Sequence, residues 1–502
     1  MTNDNQVNRI VEEVLRELGY NSTNGSTNGS EASPESSVIT EPSGPTCFVS
    51  RSDTTQKNFG PVSFATLDQA TSAARIAQRK LLDLGLEKRM ELVAAMRSVI
   101  LQFAEELGRE AVAETGLGKM PDKMLKIQLQ ARKTPGPEDL RPESFSGDNG
   151  LTLVEPAPFG VIGVITPSTN PVSTVVNNSI SMISAGNACV FAVHPAAQNV
   201  CMKTAKLLSD AMIEAGGPEH LINVIEEPTQ AKARALMEHP DVDLLVITGG
   251  GAVVKLGLTS GRRAICAGPG NPPVVVDETA IIPKAARHII DGASFDNNIM
   301  CTDEKEIFAV DPVINPLKRE ISMNGGYELT GTEIDRMVKL VVKEDKTGRG
   351  LRHVQVQREF IGKNASEILE RLDIKPPPGV KLIFFESEWD HPMVMAEQMM
   401  PIIPVVRCKS VDEAMEKAVV VEHQFHHSFV MHSTSVANLS KMAQICGGNI
   451  FVKNGPNYAG LGFGGEGHTT MTIAGTTGEG ITKASTFTRP RRCALIDYFR
   501  II

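Results

Sequence analysis

The sequence predicts an α/β protein built on open parallel sheets. Short β-branched runs bounded by Gly or Pro are typical of strands buried on both faces of a sheet, and GVIGVITP, ACVFAV, LLVITGG and PPVVVD are of this kind. Helical periodicity lies between them, for example from Val200 to Ala215 and from Thr229 to Met237, as in βαβ units. The chain has 502 residues, 41% of them hydrophobic, so it can bury the cores of two or three domains.

The N-terminal region contains a predicted helix followed by a predicted linker. Apolar residues of segment 1–19 recur at spacings of three and four, which places them on one stripe of a helix; they are Val7, Ile10, Val11, Val14, Leu15 and Leu18. Segment 20–46 is rich in Ser, Asn, Thr, Gly and Pro, and cannot bury enough apolar surface to order itself. We expect this amphipathic helix to dock on a partner; the alternative is that it folds back onto its own domain.

The rest of the chain divides into three segments. Helical periodicity from Leu67 to Leu84 and from Glu87 to Thr115 precedes the strands of segment 47–275. Segment 276–455 holds a second set of candidate strands, which are KEIFAVD, KLIFFE, IIPVVR, HHSFVMH and NIFVKN. Segment 456–502 follows the last of these strands. We therefore expect two α/β units.

Charge and cysteine content exclude several classes of function. A net charge of −9 gives no electrostatic footprint for nucleic acid or for an anionic membrane surface. The 8 cysteines are scattered without a CxxC pair, which fits a reducing compartment. No apolar stretch approaches the roughly 20 residues of a transmembrane helix, and the first residues lack the apolar region of a secretory signal. We expect a cytoplasmic protein that acts on small molecules, with no nucleic-acid or membrane partner.

A candidate phosphate-binding turn follows the strand LLVI. Thr248, Gly249 and Gly250 lie between that strand and the predicted helix AVVKLGL, where helix N-terminal amides attract phosphate oxygens and glycines permit close approach. A tight connection without a ligand is the alternative. The GxGxxG string that begins at Gly462 lacks the flanking strand and helix of a dinucleotide fingerprint, and we reject it as such.

Cys301 is the candidate nucleophile. It lies in the polar stretch SFDNNIMCTDEKEIFAVD just before a predicted strand, whereas Cys189 lies inside the apolar run ACVFAV. A single cysteine is usually a small buried hydrophobe, and its reactivity depends on an accessible environment that favours the thiolate.

Several segments, taken together, resemble the aldehyde dehydrogenase superfamily over about residues 60 to 490. The resemblance is closest to the CoA-acylating branch of bacterial microcompartments, the propionaldehyde and acetaldehyde dehydrogenases of propanediol and ethanolamine utilisation. It implies that Asn170 of ITPSTNP is the oxyanion asparagine and that Cys301 of NNIMCT is the catalytic thiol. The segment GFGGEGHTT resembles the Gly-rich loop near the acyl pocket. The implied cofactor-binding residues are Thr166, Pro167, His194, Thr248, Gly249, Gly250 and Glu397, the last from the motif EQMMP.

The resemblance also implies a domain organisation. The fold is expected to be aldehyde dehydrogenase-like, with an open-sheet NAD-binding domain at 47–275 that carries a small oligomerisation flap at 137–157. An α/β catalytic domain follows at 276–455, and 456–502 returns to the NAD-binding and oligomerisation region. The expected assembly is a homodimer or homotetramer.

One departure from the hydrolytic relatives predicts the acyl acceptor. Those relatives carry a Glu that activates water, and Cys266 and Ala267 of AICAGPGNPP stand where it would be. A thioacyl enzyme without that base favours an external thiol over water. We expect NAD⁺ and coenzyme A to convert a short-chain aldehyde (propionaldehyde, acetaldehyde or lactaldehyde) into acyl-CoA and NADH. Ala192, in place of a lysine that many relatives use on the adenosine ribose, leaves NAD versus NADP open.

Two alternatives to this function come from different classes. A hydrolytic aldehyde dehydrogenase is opposed by the missing Glu, and a non-catalytic microcompartment cargo is opposed by Cys301, Asn170 and Glu397. If the protein belongs to a microcompartment, whether as the CoA-acylating enzyme or as a non-catalytic cargo, we expect segment 1–19 to contact the shell or another cargo protein. The protein then lies in the compartment lumen.

Two polar clusters receive structural interpretations. No metal site is predicted, since the segment HHSFVMH looks like a strand and has no accompanying Cys or carboxylate cluster; the histidines are His423, His426, His427 and His432. The basic residues of TFTRPRRC fit a solvated or intersubunit patch, with a CoA phosphate as the alternative partner; they are Arg489, Arg491 and Arg492.

Overall fold

The computed structural model describes residues 60–343 and 354–502. The predicted helix 1–19 and linker 20–46 lie outside these ranges. The strands are β1 (Ser63–Phe64), β2 (Glu143–Gly147), β3 (Gly150–Pro158), β4 (Val161–Ile165), β5 (Ala188–Ala192), β6 (Ile222–Ile225), β7 (Leu244–Thr248), β8 (Ala264–Ala267), β9 (Pro273–Val276), β10 (Glu306–Val310), β11 (Gly326–Glu328), β12 (Val342–Lys343), β13 (Gln355–Val356), β14 (Leu382–Ser387), β15 (Ile402–Cys408), β16 (Ser428–His432), β17 (Ile450–Lys453), β18 (Ile473–Ala474), β19 (Gly480–Ile481) and β20 (Thr488–Ile496).

The α-helices alternate with these strands, as the sequence predicts. They are α1 (Leu67–Asp83), α2 (Gly85–Thr115), α3 (Asp122–Lys133), α4 (Pro171–Ser184), α5 (Gln198–Glu214), α6 (Gln230–Glu238), α7 (Gly251–Leu258), α8 (Ile282–Ala293), α9 (Asp311–Met323), α10 (Thr332–Val341), α11 (Ala365–Arg371), α12 (Pro392–Met395), α13 (Val411–Val421) and α14 (Val436–Ile445).

The two long N-terminal helices confirm the periodicity argument. The side chain of Thr66 caps the start of α1, and α2 ends at Gly116 with φ of 69°. A hydroxyl at the N-cap and a left-handed glycine at the C-terminus are standard helix boundaries. Helix α4 was not predicted, because it is rich in Ser, Asn and β-branched residues, which have low helix propensity; every one of its residues is buried. Across the described ranges, no helix is long and apolar enough to cross a membrane.

The first large sheet is parallel and has the strand order β1-β6-β5-β4-β7-β8. Strands β4, β5 and β6 are buried at every position, which explains their continuous apolar sequences. Helices cover both faces, and one hydrophobic core joins sheet and helices. Strands β5, β4 and β7 are neighbours, so the residues that follow them meet at one edge of the sheet.

The second large sheet is also parallel, with the order β11-β14-β15-β10-β9-β16-β17. All five predicted strands of this region are present, as β10, β14, β15, β16 and β17. The order places the amino ends of β15, β10, β9 and β16 side by side. Residues that precede these strands therefore lie close together despite long separations in sequence.

A small antiparallel sheet joins β2, β3 and β20. It pairs the segment predicted as an oligomerisation flap with a strand near the C-terminus. Gly150 has φ of 118°, and a Cβ at this position would lie 2.0 Å from the carbonyl oxygen of Leu495, so the register requires glycine here. The oligomerisation role of this sheet stays a prediction.

Candidate active site

The carboxyl edge of the first sheet gathers the residues expected to hold a dinucleotide. Thr166 and Pro167 follow β4, His194 follows β5, and Thr248 ends β7. Ligands of open parallel sheets bind at this edge. The Oγ1 atom of Thr166 is buried and makes no hydrogen bond to the described part of the chain, which leaves it available to a ligand.

The turn after β7 leaves room for a phosphate. Gly250 is the N-cap of helix α7, and Gly249 precedes it. A Cβ added at Gly250 or Gly251 would meet no atom within 4 Å, so the helix N-terminus opens on free space. Amides and the positive end of the helix dipole favour an anion there.

Cys301 lies at the amino edge of the second sheet. It precedes β10, while Gly270 precedes β9, Glu397 precedes β15 and His427 precedes β16. A Cβ added at Gly270 would lie 2.6 Å from the carbonyl oxygen of Cys301 and 3.0 Å from Cγ of His427. Glycine at position 270 thus allows the His427 ring to approach the Cys301 backbone.

The Cys301 thiol is partly buried among acidic and basic groups. Burial, and then the negative charge of Glu397, raise the pKa of Cys301 to about 12, against the opposing effect of Lys305. Burial also raises the pKa of Glu397. Burial and the charge of Lys305 lower the pKa of His427 to about 4, so this imidazole is neutral at pH 7. Its Nε2 makes no hydrogen bond to any of the described residues.

We expect alkylation of Cys301 by iodoacetamide, in the absence of NAD, to rise about tenfold per pH unit from pH 6 to 9. The thiolate is the reactive species, and a pKa near 12 keeps its fraction far from saturation in that range. Glu397→Gln should speed alkylation at pH 7, because removing a nearby negative charge lowers the thiol pKa. Cys301→Ala gives the background rate of the other cysteines, among them the exposed Cys493. A rate that levels off below pH 8 would contradict the raised pKa.

Unusual backbone precedes the thiol. Asp296, Asn297 and Asn298 all have positive φ, at 43°, 58° and 63°. Such conformations cost about 1 to 3 kcal/mol each for non-glycine residues and persist only where neighbours enforce them. Nζ of Lys305 donates to the carbonyl oxygens of Asn298 at 2.8 Å and Met300 at 3.2 Å. This lysine therefore fixes the segment that positions Cys301.

A small apolar cavity lies beside this segment. The rings of Phe295, Tyr458 and Phe463 pack against one another with centroid distances of 5.1 to 5.5 Å. Phe463 belongs to the Gly-rich segment that was expected near an acyl pocket. The lining residues are Leu125, Lys126, Leu129, Phe295, Met300, Tyr458, Leu461 and Phe463. The lining is mostly apolar, as in sites that bind aliphatic groups.

Asn170 connects the two regions. It follows β4 as the N-cap of α4, and its Oδ1 accepts a hydrogen bond from Nζ of Lys126 on α3. The same Lys126 pairs with Asp296, in the segment before Cys301. A nucleophile, an amide and an apolar cavity are thus joined through helix α3.

Sequence comparison identifies the family. The model of the aldehyde dehydrogenase family matches residues 40–486, most of the chain. The chain belongs to the aldehyde dehydrogenase family. Acetaldehyde dehydrogenase (acetylating) EutE of Salmonella typhimurium is 46% identical over 441 residues, which cover 88% of this chain and 93% of the relative.

Solved structures of other aldehyde dehydrogenases share the fold. Rhodopseudomonas palustris propionaldehyde dehydrogenase, solved with propionyl-CoA and also with CoA and an acylated cysteine, has a TM-score of 0.84 and 46% identity. The alignments cover 87% of this chain and 96% and 99% of those chains. Propionaldehyde dehydrogenase of the Clostridium phytofermentans fucose utilisation bacterial microcompartment has a TM-score of 0.85 and 43% identity, covering 88% of this chain and 100% of that one. The aldehyde dehydrogenase-like α/β fold is therefore confirmed.

Sequence patterns alone did not reveal several buried charges around this aldehyde dehydrogenase site. Lys123 and Lys126 occupy the buried face of α3, where lysine is rare, and Asp296 is fully buried. The available signal was the placement of these lysines at i, i+3 on the same stripe as Ile127 and Gln130. The proximity of His427 to the Cys301 backbone gave no signal in the sequence, since it depends on strand order.

The histidines considered for a metal are separated by the sheet. His427 and His432 flank opposite ends of β16, where a rise of about 3.3 Å per residue keeps them apart. His432 instead packs on His288, with ring centroids 5.7 Å apart. Among the described residues, no group of three or more His, Cys, Asp or Glu could hold a metal ion.

Proposed function

We propose that this aldehyde dehydrogenase oxidises a short-chain aldehyde with NAD⁺ and CoA to acyl-CoA and NADH, through a thioester on Cys301. The observation that carries the proposal is a thiol near an apolar cavity, in a chain that lacks the water-activating Glu of the hydrolytic relatives. Cys266 and Ala267 stand at the position of that Glu. Both residues are buried in strand β8. The acetylating relative and the acylated cysteine of the Rhodopseudomonas enzyme support the same chemistry.

In this mechanism the Cys301 thiolate attacks the aldehyde carbon. The Asn170 side-chain amide and the Cys301 N–H stabilise the resulting oxyanion, with a contribution of about 3 kcal/mol per donor. Transfer of hydride leaves a thioester on Cys301, and the CoA thiol then displaces Cys301. His427 is neutral at pH 7 and lies close to the Cys301 backbone.

The residues at the edge of the first sheet fit NAD. Its nicotinamide supplies the hydride acceptor when bound. We assign the pyrophosphate to Thr248, Gly249 and Gly250, where the helix N-terminus is open. The other assigned cofactor contacts are Thr166, Pro167, His194 and Glu397.

The cavity walls set the preferred aldehyde length. Leu125→Ala should raise kcat/KM for pentanal relative to acetaldehyde by about tenfold or more, because each methylene accommodated is worth about 1 to 3 kcal/mol. The measurement is a panel of straight-chain aldehydes at saturating NAD and CoA. Leu107→Ala, at a core position that does not line the cavity, is the matched control that should lower Tm without changing the ratio. An unchanged ratio in Leu125→Ala would place the acyl pocket elsewhere.

We propose that segment 1–19 docks the enzyme on a microcompartment shell or cargo protein, which places it in the compartment lumen. The microcompartment named for the Clostridium structure supports this location. A fluorescent reporter fused to residues 1–46 should form puncta in cells that make the cognate shell. The control fusion carries Ile10→Ser and Leu15→Ser on the apolar stripe and should stay diffuse. Diffuse signal from both fusions would refute docking.

We also propose self-association as a homodimer or homotetramer. Strand β20 is exposed along nearly its whole length. Several large apolar residues near it are more than half exposed, which is typical of a contact surface; they are Ile496, Tyr498, Phe499, Ile501 and Ile502.

A further inference from the structure

Helix α3 buries two lysines on one face. Lys123 and Lys126 are 2% and 1% exposed, although lysine is almost never fully buried without a partner. Both ammonium groups pair with Asp296, which has no exposed surface. Taking these charges out of water is costly, and the attraction within the cluster offsets that cost only where each charge keeps its partners.

The two lysines make different second contacts. Nζ of Lys123 donates to the backbone carbonyl of Thr169 at 2.8 Å. Nζ of Lys126 donates to the side-chain oxygen Oδ1 of Asn170. Only Lys126 therefore acts on the amide that the proposed function assigns to the oxyanion.

This contact determines which way the amide of Asn170 faces. An ammonium group only donates hydrogen bonds, so the oxygen of the amide, and not its nitrogen, must face Lys126. The nitrogen Nδ2 makes one long hydrogen bond, 3.4 Å to Oγ1 of Thr169, and keeps donor capacity. An amide held by one end presents its NH₂ group in one direction.

We propose that Lys126 is a positioning residue for the first chemical step, which orients the Asn170 amide so that its NH₂ group meets the substrate oxyanion. Asp296 holds Lys126 in place. The inference rests on the oxyanion role of Asn170 in the proposed function. Asp296 also accepts from the backbone N–H of Lys119 at 2.7 Å and lies in the segment that leads to Cys301. The same carboxylate thereby couples the position of the amide to that of the thiol.

The test compares Lys126→Met with Lys123→Met. The two variants remove lysines that are equally buried, lie on the same helix and pair with the same carboxylate. Of the two lysines, only Lys126 contacts Asn170. The readout is the rate of the first NADH turnover without CoA, with KM for NAD and Tm measured beside it. We expect Lys126→Met to slow this step about 10²-fold, as loss of one oxyanion donor does, with KM for NAD nearly unchanged. Lys123→Met should stay within about threefold of wild type.

A double-variant cycle shows whether Lys126 acts through Asn170. Asn170→Ala should be slow alone, and adding Lys126→Met to it should cause no further loss. If Lys126→Met does not fold, Lys126→Gln against Lys123→Gln gives the same comparison, with the former slower. Two results would overturn the inference if Asn170→Ala is itself slow. One is an equal rate in the two lysine variants, and the other is a further loss of rate when Lys126→Met is added to Asn170→Ala. A wild-type rate in Asn170→Ala would instead overturn the oxyanion role itself.

Discussion

Replacing Cys301 with alanine is expected to reduce NADH formation by about 10⁴-fold or more, because loss of a covalent nucleophile removes the reaction path. The substitution deletes one sulfur from a partly buried position, so the fold should remain. The measurement is steady-state NADH formation with propanal and CoA, together with Tm and NAD binding by titration.

The matched control is Cys189→Ala. Cys189 is fully buried in β5, and burial raises the pKa of its thiol, so it packs and does not react. This variant should lose stability and keep the turnover rate. Turnover above background by a clean Cys301→Ala preparation would refute the thioester mechanism.

The second large effect is expected from omitting CoA. Enzyme, NAD and aldehyde should then give a burst of about one NADH per active site, followed by a slow phase. Water is a weak nucleophile without a general base, whereas a thiol brings a usable thiolate fraction to the thioester. Adding CoA should restore rapid turnover with ping-pong kinetics and release an acyl-CoA detectable by mass.

Two results would contradict this assignment. Equal steady rates with and without CoA, with free carboxylic acid as the product, would place the enzyme in the hydrolytic class. Absence of a burst together with full activity in the presence of CoA would show that no acyl enzyme accumulates. The Cys301→Ala variant is the control, since it should give neither burst nor turnover.

Local sequence patterns predicted the strands well because burial on both faces leaves short uninterrupted apolar runs, such as β4 and β5. They failed at α4, whose sequence PVSTVVNNSISMIS is rich in β-branched residues, Ser and Asn, all of low helix propensity. Tertiary burial there outweighs intrinsic helix propensity. The signal that remained was the helical spacing of its apolar residues, which are Val172, Val175, Val176, Ile180 and Ile183.

The residues of the candidate site likewise divide into those that local sequence patterns indicate and those that only the fold brings together. Motifs whose roles are set by backbone, such as the Gly249–Gly250 turn before α7, were visible in the sequence. The neighbours of Cys301 come from the separate segments before β9, β15 and β16, and only the strand order brings them together. The partnership of Lys126 with Asp296 depends on the docking of α3, which no local pattern encodes.

The pairing of β3 with β20 has a consequence for synthesis on the ribosome. The last strand of the described chain supplies one partner of β3, and β2 supplies the other. A nascent chain offers only the β2–β3 hairpin, and an isolated hairpin is marginally stable in water. The nine-residue strand β3 therefore has one unpaired side until β20 has been synthesised. The three-stranded sheet forms only after that point, so chaperone binding to nascent β3 would protect the chain from premature association.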